Sequence, residues 1–212
     1  MLLSTAYFPP VGWLALAARD MTLSGDRVLP SRVQLEACEN YQKQSYRNRC
    51  YILSGDGPQM LQVPVVHAPD MGITRVRVDY STPWMVRTER ALDTAYETAA
   101  YYEHYRDSLF PLLEARRETL WELNLSLLEW CLERCGIACA LVPTTEFAAP
   151  DTVTDDYRYV IHPKRPDTVL ADMGLERPYY QVFRDRLGGF TPRLSILDLL
   201  FNEGPDSILW LK

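Results

Sequence analysis

The chain has 212 residues, of which 47% are apolar and 24% charged, and its net charge is −6. That balance excludes a disordered chain and is enough for one buried core, so a single domain over residues 1–212 is expected. The acidic total argues against binding a nucleic-acid duplex, and no apolar run reaches the roughly 18 residues of a membrane helix.

Tyr7-Phe8-Pro9-Pro10 reads as an extended lead-in to a short buried helix that ends near Ala18. The run Val11–Ala18 has the apolarity of a secretory signal core, but no basic residue precedes it and Pro9-Pro10 interrupts it. Val28 to Glu36 has strand character, with Pro30 marking an edge or a strand start. Two apolar runs, 51–53 and 60–65, flank the turn formers Ser54-Gly55-Asp56-Gly57-Pro58, which predicts a β-hairpin with a four- or five-residue connection. From Ile73 to Tyr80, Val76, Val78 and Tyr80 alternate with Arg75, Arg77 and Asp79, as in a strand with one wet face.

The middle of the chain is rich in helix formers. Apolar positions from Ala91 to Ala99 repeat at the helical period, predicting a helix over 87–106. Pro111 permits a second start, and Gly136 supplies a C-terminal cap. The run Ile137–Val142 is β-compatible, 144–156 is a polar loop, and 157–162 is a candidate last strand. A short helix is expected over 194–201, with Ser195 as a candidate N-cap. The predicted class is mixed α/β (α+β): a small sheet, hairpin plus further strands, packed against two or more central helices.

The densest polar segment is 39–49. Lys43, Arg47 and Arg49 stand with Tyr41, Tyr46 and Asn48. Guanidinium forks suit phosphate or carboxylate, and tyrosine rings stack on sugars or bases. The segment is therefore an anion site, a solvated basic loop or an internal salt-bridge network. His162, beside Pro163-Lys164-Arg165-Pro166, is a candidate general base. Asp198 and Asn202, four apart, share a helical face on which they would orient a substrate, with Tyr180 and Gln181 as further cleft residues. Equally, Asp198 would pair with Arg47 or Arg49 to hold the fold. The five cysteines form no disulfide framework and no paired zinc spacing, so reduced thiols in the cytoplasm, without metal or cofactor, are expected. A cysteine-enzyme reading would rest on Cys50 and His162. No Gly-x-x-x-x-Gly-Lys-Ser/Thr loop or Gly-x-Ser-x-Gly elbow is present.

Four blocks in order resemble the WbqC-like family: Tyr7-Phe8-Pro9 with 40–49; Leu61 to Val65; Trp84, Ala95-Tyr96 and 101–105; and 178–183 with 192–202. The resemblance implies a bacterial protein associated with O-antigen or other surface-polysaccharide genes. It suggests a transferase that modifies a sugar or nucleotide-sugar precursor by acyl or aminoacyl transfer. Lys43, Arg47 and Arg49 would hold the anion, Tyr46 would stack, and His162 or Asp198 would move protons. The alternative is a non-catalytic binding or scaffold module working with glycan-assembly proteins. Two positions depart from the family pattern: Thr88 stands where the family usually has histidine, and Cys50 where it often has asparagine.

Overall fold

The computed structural model describes residues 1–25, 27–69, 71–150 and 152–212. The chain opens with β1 (Leu2–Leu3) and turns at Pro9-Pro10 into α1 (Val11–Arg19). Eight of the nine residues of α1 are buried, because small and apolar side chains cover it on nearly all sides. An exposed hairpin follows, β2 (Thr22–Ser24) and β3 (Arg27–Leu29), and then β4 (Ser31–Leu35). Pro30 thus divides the single strand expected over 28–36 into two, since it cannot donate to a ladder. In β4, Ser31, Val33 and Leu35 point inward, while Arg32 and Gln34 face water.

Strand β4 is the centre of a three-stranded parallel sheet, flanked by β1 and by β7 (Cys139–Pro143). The predicted hairpin is β5 (Arg49–Ser54) with β6 (Gly57–Gln62). Its connection is two residues, Gly55 and Asp56, shorter than expected, because the pairing continues to Ser54 and Gly57. Gly57 has φ +108, a conformation that L side chains rarely adopt.

Residues 73–80 do not form the predicted strand. A 3₁₀ turn covers Ile73–Arg75, and the stretch beyond it makes only single bridges, Val65 to Val78 and Arg77 to Thr119. The inward alternation survives, with Val76 and Val78 buried. The helix expected over 87–106 is two helices, α2 (Trp84–Tyr96) and α3 (Tyr102–Glu114). At the break, Tyr101 N–H donates to Phe201 O at 2.9 Å, a tertiary bond that replaces a helical one. Pro111 lies inside α3 rather than starting a helix. The next start is at Thr119, whose side chain and Glu122 form a reciprocal capping box for α4 (Leu120–Arg134). Gly136, at φ +69, follows α4 as expected.

Residues 157–162 form turns, not a last strand. They are tied to β1 by Tyr157 N–H to Leu2 O at 2.9 Å. The chain finishes with α5 (Val169–Asp172), α6 (Ile196–Glu203) and a 3₁₀ segment, Gly204–Trp210. Ser195 caps α6, accepting from Leu197 N. A continuous buried cluster runs from α1 through β4, β5 and α2–α4 to α6, giving a mixed α/β fold with small sheets. Among the described residues, no helix is long and apolar enough to cross a membrane.

Candidate functional site

Parallel strands place their following loops on one side, the usual location of ligand sites in open α/β sheets. Here Ser4 follows β1, Glu36 and Glu39 follow β4, and Thr144 follows β7. Two buried ion pairs fill this end. Arg158 donates to Glu36 Oε2 at 2.5 Å and to Asp156 at 2.6–3.1 Å, with Ala148 O and Thr144 completing the network. Arg47 Nε donates to Glu39 Oε1 at 2.7 Å, Nη2 pairs with Glu39 Oε2, and Nη2 also donates to Ser4 Oγ at 2.7 Å.

The segment 39–49 is held by backbone bonds as well as by this ion pair. Tyr41 N–H donates to Met71 O, Tyr7 N–H to Tyr46 O, and Asn124 Nδ2 to Arg47 O. Asn48 Nδ2 donates to Val63 O at 2.9 Å. Arg47 and Asn48, both expected to contact substrate, are therefore buried with these groups engaged inside the protein. Lys43 lies on the exposed turn, and Tyr46 is buried. Burial raises the Tyr46 hydroxyl to about 12, opposed by the positive charge of Arg193.

Arg49 behaves differently. As the first residue of β5 it alternates away from buried Cys50 and shares a half-exposed face with Tyr51. Its Nε is buried and has no partner among the described residues. Tyr41, half-buried, feels both arginines: burial raises its hydroxyl, and the charges of Arg49 and Arg47 pull it back. Tyr41 also lines an open cleft of about 580 Å³ with Glu39, Gln42, Phe147 and Tyr159.

His162 comes to the same face. Its Nδ1 accepts from Lys164 N at 3.1 Å, which leaves Nε2 as the protonated nitrogen of the neutral ring. Its pKa is lowered, first by burial and then by the positive charges of Arg165, Arg47, Lys164 and Arg49. Lys164 Nζ reaches Gln44 Oε1, and Arg165 donates to Tyr159 O at 2.9 Å, so the 162–165 turn is fastened to the 39–49 segment and the cleft wall. The result is one cationic face, Arg49, Lys164 and Arg165, around His162 and beside an aromatic cleft.

The remaining expected residues are elsewhere. Asp198 does not pair with Arg47 or Arg49. It is fully buried and accepts from Tyr96 Oη, Tyr179 Oη and Gln181 Nε2, each at 2.8 Å. With no cation among these partners, burial raises its pKa to about 6. Gln181 also exchanges hydrogen bonds with the backbone of Thr191. Asn202 Nδ2 donates to Asp198 O, and the Tyr180 side chain is exposed. This group fastens α6 to α2 and to the 178–181 strap. Cys50 is buried and its thiol is raised far above its usual range, the opposite of an activated nucleophile. Among the described residues, no group of three or more His, Cys, Asp or Glu is arranged to hold a metal.

Sequence reasoning missed Arg158, Phe147 and Tyr159 as parts of this end of the molecule, and gave Glu39 and Arg165 no role although they stand in the 39–49 segment and beside His162. The signal available was Glu36, a charge directly after an apolar alternating strand, where an uncompensated carboxylate has to find a cation.

The WbqC-like protein family matches residues 7–162. The chain belongs to that family. Within the WbqC-like region lie β4 and β7 of the parallel sheet, both ion pairs, Arg49 and His162, whereas β1, α5, α6 and Asp198 lie outside it. A relative from Mycobacterium tuberculosis, described as the uncharacterized protein Rv1507c, is 28% identical, covering 81% of this chain and 84% of its own. No solved structure gives a significant match. Thr88, where the WbqC-like pattern usually has histidine, is buried on α2 beside Tyr7.

Proposed function

We propose that this WbqC-like protein is a cytoplasmic transferase of bacterial surface-polysaccharide synthesis, acting on a sugar or nucleotide-sugar precursor and working as one unit over residues 1–212. The observation that carries the reading is the cationic face of Arg49, Lys164 and Arg165 around His162, beside the cleft of Tyr41, Phe147 and Tyr159. Arg49, whose Nε is unpartnered, would bind the phosphate of the precursor, and Tyr41 would stack on its base or sugar. His162 would serve as the base through Nδ1, the nitrogen that holds the lone pair, once the Lys164 N–H contact on it opens. A sugar hydroxyl attacks the carbonyl carbon of an activated thioester, its proton passes to the imidazole, and the thiolate leaves as the new ester bond forms. Lys43, exposed on the adjoining turn, would add positive charge at the mouth. Arg47, Asn48, Asp198, Gln181 and Asn202 hold the scaffold in this account.

The alternative is a binding or scaffold module for glycan-assembly proteins. It is favoured by Thr88, which offers no imidazole, and by Asp198, whose oxygens are already taken.

Incubating the protein with nucleotide sugars and acyl thioesters, and weighing the products by mass spectrometry, tests the choice. Acylated sugar that disappears with His162→Gln supports the transferase. Sugar-nucleotide binding without any mass change supports the binding module.

A further inference from the structure

A second, shallow cleft lies between the first turn of α1 and the C-terminal segment. Its apolar walls include Val11, Leu170, Leu175, Phe190 and Trp210. Apart from the α1 turn, every lining residue comes from position 167 onward, outside the family match. A concave apolar surface with a few charged groups is a common setting for small-molecule binding.

Four charged residues line it: Asp167, Glu176, Arg177 and Arg193. Asp167 Oδ1 accepts from Val169 N at 3.1 Å, while Oδ2 takes no hydrogen bond from a described residue. A Cβ at position 12 would stand 3.5 Å from that oxygen, so Gly12 leaves open the space in front of it. Arg193 donates from Nη2 to Arg165 O, and its other donors are uncommitted among the described residues. Its backbone has φ +67, a left-handed conformation that L residues rarely adopt. Arg177 lies over the Trp210 ring, 5.4 Å from its centroid, and Glu176 is exposed.

Two guanidiniums and two carboxylates leave this charged set neutral overall, so it selects neither a simple anion nor a simple cation. It matches a molecule that carries both charges on an apolar body. We propose that this cleft binds a free α-amino acid with a large apolar side chain. The side chain packs against Leu170, Phe190 and Trp210, the carboxylate meets Arg193, and the ammonium meets Asp167. This proposal does not rest on the transferase reading, although Arg193 is tied to the cationic face through the Arg165 carbonyl.

Calorimetric titration of the full chain with phenylalanine and leucine tests it, alongside 3-phenylpropanoate, which lacks the ammonium, and phenethylamine, which lacks the carboxylate. The expected result is binding of at least one of the two amino acids, with each single-charge analogue at least tenfold weaker. Arg193→Gln, at an exposed position, should weaken the amino acid at least tenfold, and Arg49→Ala should leave it unchanged. Equal affinity for an analogue, no binding of either amino acid, or indifference to Arg193→Gln would overturn the assignment. The analogue comparison requires no variant to fold.

Discussion

Arg47 and Arg49 stand two residues apart and have opposite surroundings. Arg47 precedes the strand, points into the protein and gives its donors to Glu39 and Ser4. Arg49 opens β5, lies on its half-exposed face and has a buried Nε without a partner among the described residues. The same contrast separates two buried carboxylates. Glu39 has a guanidinium against both oxygens, whereas Asp198 has three neutral donors. Position relative to the strand and the identity of the partner, rather than residue type, divide scaffold from candidate site.

The largest expected effect comes from breaking the compensated pair. Arg47→Ala leaves Glu39 buried without its cation and should cost about 3–5 kcal/mol. For a chain of this size that is a drop of roughly 6–20 °C in Tm by calorimetry. Arg49→Ala should move Tm by no more than a degree or two, since its guanidinium makes no hydrogen bond or ion pair with a described residue.

Asp198 should show itself in the pH dependence of stability. Its folded pKa of about 6 lies above the usual carboxylate value near 3.8. Between those values the unfolded chain has already lost a proton that the folded chain retains, so stability falls as pH rises from about 4 to 6. The accumulated cost above that window is about 3 kcal/mol. Urea unfolding at pH 4, 5, 6 and 7 reads this slope, and Asp198→Asn should flatten it.

A smaller effect tests the local account of α4. Thr119→Ala removes one half of the capping box and should destabilise by about 1 kcal/mol in the same unfolding assay. The smallest effect is electrostatic. After burial, Arg165 contributes most to depressing His162, so Arg165→Ala should raise the His162 midpoint, followed by the ring C–H signals in NMR titration. Arg49→Ala should raise it less.

The hairpin, the α4–Gly136–β7 step and the Ser195 cap were legible in the sequence, because each is encoded within a few neighbouring residues. The capping box at Thr119 and Glu122 was equally local, but Pro111, the more familiar start signal, drew the boundary to itself. The split between α2 and α3 was not legible, since it depends on Tyr101 N–H meeting Phe201 O, 100 residues away along the chain. The segment 39–49 stood out as polar and cationic. That Arg47 would be occupied and Arg49 left open depended on Glu39 folding back from the loop before it and on the strand beginning at Arg49. Nothing in the local pattern encodes either. His162 reaches Arg49 only through the 157–165 turns and their ties to β1 and Gln44.

The central claim is that the outward arginine, and not its buried neighbour, meets an anionic sugar nucleotide. The most direct measurement is isothermal titration of a uridine diphosphate sugar into the wild type and Arg49→Ala, both checked for folding. A lost charge-assisted contact should cost about 1.5–3 kcal/mol, a weakening of roughly ten- to a hundredfold. Binding of the wild type that Arg49→Ala leaves unchanged would contradict the account.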